Sequence, residues 1–219
     1  MTPAEIHTDL VNKSPILPGG QPYGVTAFGG DIMDNDLTRR TARTMRHHLG
    51  GAKQLRTIEV GSGGGRWTRH LANMSELIMA IDPARKMPEH LNALDLPCRV
   101  MPYVTKHWSL PTSLGSPLHE TFDLAFSFDT YVHAAANEIA ASISALANAL
   151  RPEGLLVVHY ATLDRKQPHQ PHDESGCWIT HWPYWINTAL QANSIDLIET
   201  IYASEGYGSA VAFGRKRAD

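Results

Sequence analysis

Only two cysteines, Cys98 and Cys177, occur in the 219 residues. They are too few and too far apart for a disulfide framework or a cysteine-ligated zinc site, and they suit a reducing, cytoplasmic setting. Long apolar runs are missing as well. No stretch of about 18 apolar residues occurs, and residues 1–10 carry acidic and polar groups where a leader has a basic start and an apolar run. Neither secretion nor a membrane span is expected. The chain also lacks basic excess, with 19 Lys and Arg against 22 Asp and Glu and a formal charge of -3. No general attraction for a phosphate backbone follows from that balance, which argues against nucleic acid as a partner.

What is present reads as one α/β domain over residues 1–219. Residues 1–33 are broken by Pro3, Pro15, Pro18, Gly19, Gly20, Pro22, Gly24, Gly29 and Gly30, so an irregular segment precedes the regular fold and is free to cover a site. Asp34 or Asp36 can cap a helix running to about Leu49, closed by Gly50 and Gly51. Its Arg39, Arg40, Arg43 and Arg46 recur at helical spacing, which fits a solvated face better than an anion site.

From Leu55 onward, short apolar runs alternate with helical stretches, the pattern of crossover connections and a parallel sheet. Strands are expected at 56–60, 77–81, 99–104, 123–128 and 155–160. Ile139, Ile143, Leu146 and Leu150 mark one face of a helix, which Arg151, Pro152, Glu153 and Gly154 should stop. After a further helix at 184–191, runs at 196–203 and 209–215 joined by Glu205-Gly206-Tyr207-Gly208 read as an antiparallel hairpin. The expected architecture is doubly wound, mostly parallel, with that hairpin at the end.

The strongest local signal is Thr57-Ile58-Glu59-Val60-Gly61-Ser62-Gly63-Gly64-Gly65-Arg66-Trp67, a strand entering a glycine turn and then a helix. Glycines there permit positive φ and close approach of a ligand, although a glycine turn without any ligand is the plain alternative. A dinucleotide fingerprint needs glycine where Arg66 stands. About twenty residues on, Asp82 ends the second apolar run, where nucleoside-binding folds place an acid for the ribose hydroxyls.

The E-x-G-x-G-x-G string of Glu59, Gly61, Gly63 and Gly65, followed by Asp82 and by the C-terminal hairpin, resembles the class I S-adenosylmethionine-dependent methyltransferases. That resemblance implies a seven-stranded Rossmann-like sheet whose last strand inserts antiparallel. It implies S-adenosylmethionine as cofactor, with Glu59, Gly61, Ser62, Gly63, Gly65, Asp82, Ser127 and Phe128 around it. The cofactor carries no phosphate, so the site needs backbone groups and a carboxylate near its positive charges more than an anion-binding helix end. An acid that contacts adenine in the family is missing from Tyr103 to Pro111, where Trp108 can stack or simply pack.

Ligands of open α/β sheets sit beyond the carboxyl ends of the strands, so the fourth and fifth strands should flank the acceptor. Ser127-Phe128-Asp129-Thr130-Tyr131-Val132-His133 lacks the Asn/Asp-Pro-Pro-Tyr/Phe string of certain amino-group methyltransferases and the Pro-Cys of cytosine C5 transfer. Its Phe-Asp-x-x-Val-His pattern resembles bacterial O-methyltransferases of sugars and other small molecules, which implies a hydroxyl acceptor. His133 is the first candidate for general base, or else caps the following helix; His159 is the second, or else a hydrogen-bonded core residue. Asp129, Tyr131 and Trp182 are candidate acceptor contacts, with Tyr23, Phe28 and the aromatic-rich 162–183 connection behind them. Asp129, His133, His159, His172, Asp173 and Glu174 suit Mg²⁺ or Mn²⁺ by ligand type, but no pair has a diagnostic spacing and no metal ligand is assigned. Competing readings are a non-catalytic binding subunit of the same fold, which has no need of Glu59, the glycines or Asp82, and an aminopropyl transferase using a related cofactor. A homodimer is compatible with all of them.

Overall fold

The computed structural model describes residues 36–105, 118–162, 180–181, 183–204 and 208–218. Helix α1 (Asp36–His48) leads into β1 (Leu55–Val60), α2 (Arg66–Ala72), β2 (Ser75–Asp82), α3 (Met87–Asn92) and β3 (Arg99–Val104). There follow β4 (Phe122–Ser127), a 3-10 turn (Tyr131–His133), α4 (Ala136–Ala149) and β5 (Leu150–Thr162). The chain ends with a short β6 (Thr180–His181), α5 (Pro183–Gln191), β7 (Ile195–Tyr202) and β8 (Ser209–Lys216).

All but β6 lie on one path, in the order β3-β2-β1-β4-β5-β8-β7. Strands β1 to β5 pair in parallel, while β8 runs antiparallel between β5 and β7. This is the seven-stranded, mostly parallel sheet with an antiparallel ending that the sequence pattern implies. β6 is an addition: it pairs with Ala161 and Thr162, past the last β4–β5 pair of Ser127 and Val158. Its two residues therefore return the chain to the carboxyl edge of the sheet.

A parallel sheet buried on both faces is built from nearly continuous apolar runs, and every residue of β4 is buried. Alternation still decides which core each side chain joins. Ile58, Leu156, Val158 and Tyr160 pack with Ile139, Ile143 and Leu146 of α4 and with Ile186 and Leu190 of α5. Phe126, Leu155, Val157 and Phe213 pack on the other face with Met45 of α1, Leu71 of α2 and Met87 of α3. Fully burying such a side chain is worth roughly 1.5–3 kcal/mol, so the two cores hold the strand ends in fixed relative positions.

Two boundaries differ from expectation. Residues 151–154 do not stop the chain between α4 and β5, because β5 already begins at Leu150, paired with Phe122. The register then shifts before Leu124 meets Leu155, with Glu153 at φ 64°, so the supposed stop is an irregular strand start. Asp123 fastens it by accepting the Arg56 N–H at 2.7 Å and pairing with Arg151 at 2.7 Å. At α1, Asp36 lies within the first turn, where its carboxylate meets Arg40 at 3.4 Å and the Ser204 hydroxyl at 3.2 Å. Arg39, Arg43 and Arg46 are exposed, a solvated face, while Arg40 donates to the Tyr202 carbonyl at 3.0 Å. Asp34 lies outside the described residues.

Candidate cofactor and acceptor site

Where β1 ends, the chain turns through Gly61, Gly63 and Gly65 with φ of 78°, 51° and 91°, a region that side chains other than glycine's rarely adopt. The three glycines answer to different neighbours. A Cβ on Gly61 would lie 1.8 Å from Thr130 Oγ1, and one on Gly65 would lie 2.5 Å from Leu94 Cδ1. A Cβ on Gly63 would meet none of the described residues within 4 Å. Two of the glycines are thus required by the chain's own packing, and the middle one leaves an open cradle.

Asp82 braces that cradle. Its Oδ2 accepts the Gly63 N–H at 2.8 Å and its Oδ1 the Ala84 N–H at 2.8 Å, with the residue wholly buried. An ionised carboxylate has about four lone-pair sites, more than these two bonds occupy. Glu59 supports the turn from beneath, accepting the Thr68 hydroxyl of α2 at 2.6 Å. Burial pushes the Glu59 carboxyl up to about 8; the Thr68 hydrogen bond opposes the shift, and the nearby Asp82 charge adds to it. At the same turn Ser62 Oγ is buried with no hydrogen-bond partner among the described residues, and so are Arg66 Nε and Trp67 Nε1. Buried polar groups in this condition call for a ligand or a further segment.

On the acceptor side, Ser127 and Thr130 both donate to the Val60 carbonyl at 3.1 Å, tying the end of β4 to the end of β1. Phe128 is buried and stacks on the His159 ring, with centroids 4.2 Å apart and planes 13° from parallel. Trp67 and Phe126 also neighbour it, with ring centroids at 4.9 Å and 6.4 Å. Asp129 has φ 57°, which costs a non-glycine residue about 1 kcal/mol or more. Its side chain is 52% exposed, whereas His159 beside it is 2% exposed. The Asp129 N–H donates to His159 Nδ1 at 3.2 Å, and Asp129 Oδ1 lies 3.2 Å from the same nitrogen. Desolvation works against the charged Asp129, but the His159 hydrogen bond and the charges of His159, Arg66 and His133 outweigh it and hold the carboxyl below its ordinary value. His133, half-buried in the 3-10 turn, is therefore within electrostatic reach of Asp129.

The structure brings Glu59, Gly61, Ser62, Gly63, Gly65 and Asp82 together at one turn, with Ser127, Phe128, Asp129, His133 and His159 on the neighbouring strand ends. Tyr131 is placed differently from an acceptor contact. It is wholly buried in the α4 side of the core, where its hydroxyl bonds Ser142 and burial raises it to about 12. The capping role weighed for His133 falls to Glu138, whose carboxylate accepts the Ala135 N–H at 2.8 Å ahead of α4. Trp108, His172, Asp173, Glu174 and Trp182 lie outside the described residues. Among the described residues no three His, Cys, Asp or Glu side chains converge as metal ligands, and no helix is long and apolar enough to cross a membrane. Thr130 and Thr68 escaped the sequence reading. Thr130 is detectable only as the partner that a missing Cβ accommodates, and Thr68 only through the helical step that sets it over Glu59.

Residues 58–154 match the family model described as a methyltransferase domain. No curated protein matches the chain in sequence. Among solved structures, 1,6-didemethyltoxoflavin-N1-methyltransferase of Burkholderia thailandensis, with bound 1,6-didemethyltoxoflavin and S-adenosylhomocysteine, is 15% identical, covers 98% of this chain and 89% of its own, and has a TM-score of 0.65. Magnesium protoporphyrin IX methyltransferase of Synechocystis PCC 6803, with bound S-adenosylmethionine, is 17% identical over 100% of this chain and 98% of its own, with a TM-score of 0.65. The [4+2]-cyclase SpnF is 15% identical over 83% of this chain and 82% of its own, with a TM-score of 0.64. Residues 58–154 thus resemble a methyltransferase domain, and the sheet order is that of the Rossmann-like methyltransferase fold. At these identities the likeness to the solved structures is one of fold, so the reaction has to be argued from the site.

The buried Glu59 gives a pH test of the turn. Its carboxyl binds a proton more tightly in the folded chain, at about 8, than at the ordinary 4.5, so the stability it contributes is full below 4.5 and lost as pH rises through 8. Glu59→Gln keeps an acceptor for Thr68 and carries no such proton. Urea unfolding should show the wild type losing ground to the variant between pH 4.5 and 8, with the difference level above that. A stability difference that ignores pH across this window contradicts a neutral, buried Glu59.

Proposed function

We propose that the chain binds S-adenosylmethionine at the 61–65 turn and transfers its methyl group to a hydroxyl of a small molecule, such as a sugar or natural product. The observation that carries the reading is the cradle at Gly63, open among the described residues and set between the braced Asp82 carboxylate and the buried Ser62 hydroxyl, which none of the described residues hydrogen-bonds. Such a cradle fits a ligand that comes close to backbone and brings hydrogen-bonding groups. The bound S-adenosylhomocysteine and S-adenosylmethionine of two proteins sharing the fold support the choice of ligand.

In this reading the cofactor supplies a methyl group on a sulfonium, open to in-line displacement. Asp82 would hold the ribose hydroxyls, and the Gly61–Gly65 backbone together with Ser62 would hold the methionine end. Glu59 keeps the turn in shape through Thr68. Phe128 and Trp67 wall the site with apolar rings. Displacement at the methyl group demands alignment first, because holding the acceptor in line removes most of the entropic barrier. Asp129 and His133 face the acceptor side, where the carboxylate can accept a hydroxyl proton in a hydrogen bond and His133 can remove it as the new bond forms.

Calorimetry tests the cofactor half. S-Adenosylhomocysteine should bind, and at ~100 times its dissociation constant should raise the apparent stability by about 2.7 kcal/mol. Absence of binding to the folded chain at millimolar ligand contradicts the reading. Mass spectrometry of a panel of sugars and phenols incubated with S-adenosylmethionine then identifies the acceptor.

For the base, His133→Gln should lower turnover on the order of 10²- to 10⁴-fold with cofactor affinity unchanged. Near-wild-type turnover of the folded variant from pH 6 to 9 removes His133 from that role.

A further inference from the structure

Resting on the methyltransferase reading, the geometry points to His159 as a buried positioning residue that grips Asp129 by backbone and side chain and so presents its carboxylate to the proton-bearing group of the acceptor. His159 itself is too deeply buried to meet an acceptor, with 2% of its side chain exposed and its ring stacked under Phe128. Its Nδ1 faces two groups of one residue. When Nδ1 carries no proton it accepts the Asp129 N–H at 3.2 Å; when it carries one it can donate to Asp129 Oδ1 at 3.2 Å. Each tautomer therefore holds Asp129 in place, and neither leaves Nδ1 idle.

The backbone of Asp129 gives the second line of argument. A left-handed φ of 57° is one that glycine adopts without strain, yet a carboxylate stands there, half exposed and fastened from below. Strain of this kind persists where surrounding contacts over-determine the conformation, and the His159 contacts are such a constraint. The register explains how they arise: Ser127 pairs with Val158, so the residues that follow the pair bring Asp129 and His159 together at the strand ends. The groups acting on the carboxylate are His159 from β5, Arg66 from α2 and His133 from the 3-10 turn, all cationic or able to become so. An anion held outward in this setting selects an acceptor that offers a hydrogen-bond donor, a hydroxyl or an amine, over one that presents a carboxylate or phosphate.

The test separates this role from a merely structural one. The Asp129 carboxyl is followed by ¹³C NMR across pH in the full chain, assigned by its loss in Asp129→Asn. His159→Phe keeps the stack on Phe128 and deletes Nδ1; His159→Gln reaches the Nε2 position instead, and serves if the Phe variant does not fold. His159→Asn places an amide where Nδ1 was. Asp129 should titrate at higher pH in the Phe and Gln variants and return toward wild type in the Asn variant, with affinity for S-adenosylhomocysteine unchanged throughout. On a hydroxyl acceptor of the sugar and phenol panel, kcat should fall on the order of 10²-fold in His159→Phe and be largely restored in His159→Asn. An Asp129 titration that does not move in folded Phe and Gln variants, or that moves and is not restored by Asn, overturns the proposal. A wild-type chain that fails to bind S-adenosylhomocysteine removes the methyltransferase reading instead, and the NMR titration still decides whether His159 holds Asp129.

Discussion

The carboxylate of Asp82 is the constraint on which the rest of the site depends. It caps the end of β2, reaches across to the Gly63 N–H and back to the Ala84 N–H, each at 2.8 Å, and fixes the glycine turn relative to the sheet. The neighbouring backbone completes the brace, with the Gly61 N–H on the Ile81 carbonyl at 2.7 Å and the Thr105 N–H on the Asp82 carbonyl at 3.1 Å. Charge-assisted bonds in a buried setting are short and strong, and losing either leaves a buried N–H unmet. The acid expected to meet a ribose is thus first a structural member of the turn.

A second tie couples the two halves of the edge. The Val60 carbonyl accepts from Ser127 and Thr130, and the side chain of Thr130 occupies the space that the missing Cβ of Gly61 leaves. The turn that would hold a cofactor and the loop that carries Asp129 are consequently packed against each other. Displacing one displaces the other, which in an alignment-limited reaction is a direct route from ligand binding to acceptor placement.

Much of this was legible in the sequence, for identifiable reasons. Buried parallel strands leave apolar runs, so 56–60, 77–81 and 123–128 lie within a residue or two of β1, β2 and β4, the partly exposed edge strand β3 also falls at 99–104, and the alternation of helix and strand points to the class. Glycine positions at a strand end mark the turn because positive φ demands them. Less was legible where the determinant is spatial. The early start of β5 hangs on Asp123 gripping Arg151, an ion pair between strands. Tyr131 stood beside true edge residues in the sequence, yet the 3-10 turn directs it into the core toward Ser142. The Asp129–His159 contact requires knowing that β4 and β5 are neighbours in a given register.

Fold and reaction remain separate inferences, since proteins sharing this architecture include an N1-methyltransferase and a [4+2]-cyclase. The central claim is that the Gly63 cradle and Asp82 hold the cofactor. A crystal structure with S-adenosylhomocysteine tests it most directly. The account predicts the ligand across the 61–65 turn, its ribose hydroxyls donating to Asp82 while the Gly63 and Ala84 bonds persist, and Ser62 Oγ newly partnered. A ligand bound away from the turn, making no contact with Asp82, would contradict it.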